Sequence, residues 1–162
     1  MRSTPSRRNA TAEQISEGDE EARQKLIMIP ENEYFNTIHW TVTVGTNPGF
    51  SLEEQKLMDY GSFVEMFQRL CEEEHTESGI WITAVITQTR LAYMHKQGCP
   101  YGGEYAYMLT GSCNTEFASV DDYIPALKRV ITRLGERLGQ VTYTLEIIPA
   151  HLDYYYSQRK QQ

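Results

Sequence analysis

Two stretches near the ends of this chain alternate apolar and polar residues with a period of two, and that pattern commits its core to a sheet. In the first, Ile38, Trp40, Val42 and Val44 alternate with His39, Thr41 and Thr43. In the second, Val141, Tyr143, Leu145 and Ile147 alternate with Thr142, Thr144 and Glu146. Successive side chains of a strand point to opposite faces, so each stretch reads as a half-buried strand with an apolar side and a polar side.

Helical signals lie between these strands. Ser51 and Glu54 form a capping-box pattern ahead of a short helical run to Tyr60. Gly61 interrupts that run, and Ser62 with Glu65 repeats the signature. Phe63, Met66, Phe67 and Leu70 then recur at helical spacing, and the acidic run Glu72, Glu73, Glu74 leads into a polar loop. A second helix begins at Ser119, carries Tyr123, Leu127, Val130, Ile131, Leu134 and Leu138 three and four apart, and ends at Gly139. The β-branched and aromatic stretches 80–93 and 105–110 flank Gln97-Gly98-Cys99-Pro100-Tyr101-Gly102-Gly103, a strong turn signal, and so predict a β-hairpin.

The order is therefore strand, helix, strand, strand, helix, strand. It predicts an α+β, ferredoxin-like (βαββαβ) two-layer sandwich with an antiparallel sheet, helices on one face and the other face open. Residues 31–162 form this single domain. Residues 1–30, polar and charged with little to bury, read as a disordered tail.

Bulk properties narrow the partners. A net charge of −7 argues against broad phosphate-backbone binding, which relies on Lys and Arg. No apolar run is long enough for a membrane span, and no apolar segment follows the basic start as a signal peptide would require. Three cysteines, Cys71, Cys99 and Cys113, lack CxxC spacing and read as reduced thiols, so a soluble, cytoplasmic protein is expected. No motif calls for a cofactor. His75 among Glu72, Glu73, Glu74 and Glu77 reads as a charged helix end rather than a metal site.

Chemistry is sought first on the open sheet face. The strand pattern puts His39, Thr41 and Thr43 beside Thr142, Thr144 and Glu146 there, a Thr-rich surface with one imidazole and one carboxylate. His39 is the candidate general acid or base, with Thr41 and Glu146 as its catalytic companions. Thr43, Thr142 and Thr144 are candidate ligand contacts. The hairpin adds Tyr93, Tyr101, Tyr105 and Tyr107, of which Tyr105 and Tyr107 join the candidate ligand contacts, since Tyr offers large contact area with a polar tip.

The triplet His39-Trp40-Thr41 resembles the H-x-T pairs of the 2H phosphoesterases, and the resemblance implies acid–base chemistry on a cyclic or oligonucleotide phosphate. That chemistry takes a second histidine, for the proton on the opposite side of the phosphorus. His95 is followed by Lys96 and Gln97, and His151 by Leu152 and Asp153, so neither completes a second triplet. The resemblance covers three residues.

The residues favour a non-catalytic, self-associating binding module, a homodimer or higher oligomer that takes a small ligand or protein partner through the open face and the Tyr-rich hairpin. A small hydrolase or phosphoesterase-like enzyme using His39 is the alternative. An accessory factor of viral or mobile-element origin is a third reading, suggested by small size and the lack of any housekeeping motif.

Overall fold

The computed structural model describes residues 35–47 and 58–155. The expected tail over 1–30, the helical turn expected from Ser51 and Glu54, and Pro48, Gly49 and Tyr156 lie outside the described residues.

The described chain runs β1 (Thr37–Gly45), α1 (Tyr60–Ser78), β2 (Val85–Leu91), β3 (Glu104–Ser112), α2 (Val120–Leu138) and β4 (Thr144–Ala150), with a short 3₁₀ turn at His95–Gln97. The strands form one sheet in the order β2-β3-β1-β4, and each neighbouring pair is antiparallel. This is the ferredoxin-like arrangement that the element order predicts, and it makes the first and last strands neighbours.

Alternation in β1 builds the core. Ile38, Trp40, Val42 and Val44 are buried and join Tyr107 and Leu109 of β3 in one cluster with the helices. Helix α1 contributes Phe63, Phe67 and Leu70, and α2 contributes Tyr123, Leu127, Val130, Ile131 and Leu134. Burying each such aliphatic or phenyl side chain stabilises the fold by about 1.5–3 kcal/mol. Trp40 keeps its polar edge satisfied at the centre, donating from Nε1 to the Tyr123 Oη at 2.9 Å. Opposite it, Gly111 admits the indole, for a Cβ there would lie 2.6 Å from Trp40 Cζ2 and 2.4 Å from the Thr83 carbonyl oxygen.

The helix boundaries follow their caps. Ser119 accepts from the Asp122 N–H at 3.1 Å and Gly139 closes α2 with φ 64°, as the sequence predicts. Helix α1 differs. It starts at Tyr60, with Asp59 as N-cap accepting from the Ser62 N–H at 3.0 Å, so Gly61 and Ser62 lie in its first turn. It also runs past the acidic stretch to Ser78, where Gly79 caps it with φ 75°.

The extension has a physical cause on the facing helix. Glu74 is fully buried, and Arg129 of α2 donates to it from Nε and Nη2, the closest approach being 2.6 Å. Arg133 reaches Glu77 at 2.6 Å and Arg137 reaches Glu73 at 2.8 Å. Three arginines on α2 thus meet three glutamates on α1.

Candidate functional site

The register settles which side chains share the open face. His39 lies opposite Ser112 and Ile148, Thr41 opposite Thr110 and Glu146, and Thr43 opposite Met108 and Thr144. Residues directly opposite in an antiparallel pair project to the same side. The structure therefore brings His39, Thr41, Thr43, Thr144 and Glu146 together on the face away from the helices. His39 Nδ1 lies 3.0 Å from Ser112 Oγ. Thr142 precedes β4 and is exposed, and Val141, expected on the apolar side of that strand, is 68% exposed.

The two hairpin tyrosines lie elsewhere. Tyr107 faces the helices and is wholly buried, stacked on Phe63 with ring centroids 4.0 Å apart, its hydroxyl donating to the Met58 carbonyl at 2.7 Å. It is a core residue and has no surface for a ligand. Tyr105, two residues away and so on the same side, is half-buried under the Arg90 guanidinium, 4.1 Å from its ring centroid. Neither belongs to the open face, because the strand's odd positions turn inward with Leu109.

A polar corner forms where β1 leaves the sheet and β3 enters it. Thr46 ties the two strands, its N–H and hydroxyl both donating to the Tyr105 carbonyl at 3.0 and 3.2 Å. The next residue, Asn47, donates its backbone N–H to Glu104 Oε1 at 3.2 Å and accepts from Gln140 Nε2, which follows the α2 cap, at 2.6 Å. Tyr93 donates its hydroxyl to Glu104 Oε2 at 3.3 Å. Glu104 and Asn47 are each only 4% exposed.

Local structure prepares this corner. Gly102 and Gly103 adopt φ of 92° and 83°, the left-handed turn that feeds Glu104 into β3. The loop carrying Tyr93 is held by His95, whose Nδ1 lies 2.7 Å from the Cys99 carbonyl and whose ring stacks on Tyr101 at 4.0 Å. Gly45 leaves room for the carboxylate, since a Cβ there would stand 2.0 Å from Glu104 Oε1.

The electrostatics are one-sided. Among the described residues no Lys, Arg or His pairs with Glu104, whereas the other buried glutamate, Glu74, has its arginines. Burial, reinforced by the negative charge of Glu104 and the hydrogen bond to it, pushes the Tyr93 phenol above its ordinary value near 10. Tyr93 therefore stays a donor at neutral pH. Glu104 is thus buried with an amide and a phenol as its donors and, among the described residues, no basic side chain.

Sequence reasoning named Tyr93 only as one of the hairpin tyrosines, and it passed over Glu104, Asn47 and Gln140. The available signal was parity: Glu104 shares its side of β3 with Thr110 and Ser112, the partners of Thr41 and His39.

The fold and this corner define a class: a two-layer α+β sandwich with a buried carboxylate that has no basic partner among the described residues, on the sheet side away from the helices. The family follows from comparison. The model of the SAM lyase family matches residues 35–157, which span every strand and helix described above, and the chain belongs to that family.

A solved structure of a phage SAM lyase in complex with S-methyl-5′-thioadenosine is similar to this one, with a TM-score of 0.52 and 16% sequence identity, covering 70% of this chain and 81% of that chain. At that identity the likeness speaks to the fold alone. No curated protein matches the chain. Membership of a lyase family overturns the expectation of a non-catalytic binding module: the family is one of enzymes. No short catalytic motif in the sequence announces it.

Proposed function

We propose that this protein cleaves S-adenosylmethionine without adding water, releasing S-methyl-5′-thioadenosine, and that the Glu104 corner holds the substrate's cationic end. The observation that carries the reading is the buried Glu104 carboxylate, without a cationic partner among the described residues, in a chain of this family. S-adenosylmethionine carries a sulfonium and an ammonium against one carboxylate, so it supplies the missing positive charge.

The chemistry assigns Glu104 to the ammonium rather than the sulfonium. When the bond from sulfur to the methionyl Cγ breaks, its electron pair passes to sulfur and the sulfonium charge vanishes. An anion fixed on the sulfur would then favour the ground state over the transition state. The ammonium keeps its charge throughout, so a carboxylate holding it positions the four-carbon chain at no such cost. The substrate's own carboxylate oxygen then attacks Cγ and closes a lactone as the thioether leaves. Cation and anion neutralise each other in that step, and a corner poor in water favours it. Tyr93 holds Glu104 in place, and His39, Thr41 and Glu146 on the adjoining face are proposed to orient the rest of the substrate.

Reaction in ¹⁸O-enriched water separates a lyase from a hydrolase. The lyase reading expects S-methyl-5′-thioadenosine together with a four-carbon lactone whose ring oxygen is unlabelled. Homoserine labelled at its γ-oxygen, formed directly, would establish hydrolysis instead, and a vinyl amino acid would replace internal attack by loss of the Cβ proton.

The open face is also the proposed surface for self-association. Val85, opposite Thr110, and Ile148, opposite His39, project on that face with 69% and 44% exposure. Among the described residues no helix is long and apolar enough to cross a membrane, and all three cysteines are free thiols. The free thiols support action inside the cell, in a reducing compartment.

A further inference from the structure

Asn47 has an unexplained side chain. Its backbone is fully used, the N–H on Glu104 and the carbonyl on Gln140. Its carboxamide is buried, and among the described residues neither Nδ2 nor Oδ1 has a hydrogen-bond partner. A buried amide left with both a donor and an acceptor unpaired is costly, and native folds retain such groups where something else completes them. Here the amide stands next to the carboxylate that the lyase reading gives to the substrate.

We infer that the Asn47 carboxamide reads the purine of the substrate, accepting from the 6-amino group and donating to the adjacent ring nitrogen. The inference rests on the reading of this corner as a site for S-adenosylmethionine. Three substrate regions offer paired hydrogen-bonding groups, and chemistry separates them. The amino-acid end bears full charges, and its cation is already matched by Glu104. The ribose diol presents two hydroxyls on neighbouring tetrahedral carbons, out of the plane of an amide. The adenine edge offers a donor and an acceptor side by side in one plane, the pattern a planar Asn side chain pairs with in two parallel bonds. Asn47 is thus a specificity-determining residue for adenine, distinct in role from Glu104.

Calorimetric titration with two nucleosides tests this without relying on turnover: S-methyl-5′-thioadenosine and its analogue lacking the 6-amino group. The wild-type protein is expected to bind the amino nucleoside about tenfold more tightly, the usual effect of leaving one buried acceptor unpaired. Asn47→Ala is expected to bind the two within about twofold of each other, having lost the group that distinguishes them. Equal wild-type affinity for the two nucleosides would overturn the assignment even if the variant failed to fold, and so would an undiminished preference in Asn47→Ala. A wild-type protein that binds neither nucleoside and releases no S-methyl-5′-thioadenosine from S-adenosylmethionine would overturn the lyase reading, and this assignment with it.

Discussion

Glu104 and Gly45 are a matched pair, and the match explains how a carboxylate is kept at 4% exposure without strain. A Cβ on Gly45 would stand 2.0 Å from Glu104 Oε1, so the missing side chain is what gives the carboxylate its room. Gly45→Ala is therefore expected to displace the carboxylate while leaving the sheet assembled, and release of S-methyl-5′-thioadenosine should fall by about 10²-fold, the scale of a small misplacement. An unchanged rate with an unchanged circular dichroism spectrum would show that the carboxylate position is immaterial. Tyr93→Phe removes one donor to Glu104 and should lower the rate by about three- to tenfold. Because burial and the neighbouring carboxylate raise the Tyr93 phenol, its donor role is kept until pH rises beyond about 10, so a loss of activity below that pH belongs to another group. Glu104 itself was not legible in the sequence. Between Gly103 and Tyr105 it reads as a solvated turn residue, and its burial depends on Asn47, 57 positions away. Tyr107 failed in the opposite sense: an aromatic residue in a hairpin suggests a recognition surface, but its parity with Leu109 sends it into the core.

At the scale of elements, local chemistry was legible wherever one signal acted alone. Period two located β1 to within a residue at each end, and Ser119 and Gly139 bounded α2. Helix α1 misled because Ser62 and Glu65 imitate a capping box, while the side chain that accepts the first-turn N–H belongs to Asp59. Its acidic end misled for a tertiary reason. Glu72, Glu73 and Glu74 look like a solvated terminus until α2 brings Arg129, Arg133 and Arg137 against that side of α1. Hydrogen bonding from Arg129 outweighs burial and holds the Glu74 carboxyl below its ordinary value of 4.5. A depressed carboxyl stabilises the fold fully above its unfolded value and loses that contribution as pH falls through its folded value. The loss should therefore begin below about pH 4.5. Glu74→Ala should cost about 1–2 kcal/mol, with the half-exposed Arg129 left to water. Denaturant titration of the variant checks both, for its stability should vary less than wild type's between pH 5 and pH 3, about the range of a depressed carboxyl. Equal acid sensitivity in the two proteins would remove Glu74 from the account.

Among the described residues an open sheet face adjoins a corner with a buried carboxylate, and the whole chain carries a net charge of −7. S-adenosylmethionine carries one net positive charge, so the proposed function predicts that the field of the chain favours its capture and that kcat/KM declines as salt rises from low to physiological strength. Insensitivity to salt would confine recognition to short-range contacts. Self-association through the open face predicts a light-scattering mass that is a multiple of the chain mass, reduced by Val85→Glu together with Ile148→Glu. A monomer at high concentration would rule the interface out. The fold was legible at this scale because it follows from element order. The proposed site was not, because the residues that make the corner come from the exits of β1 and α2, the loop before β3 and β3 itself, and no single stretch carries them.

The most direct test is the initial rate at which saturating S-adenosylmethionine yields S-methyl-5′-thioadenosine, compared between wild type and Glu104→Gln. The side chain keeps its shape and loses its charge, so the rate is expected to fall by about 10²-fold or more while the protein stays folded. Equal rates would contradict the assignment of Glu104 to the substrate's ammonium, and no S-methyl-5′-thioadenosine from the wild-type protein would contradict the function itself.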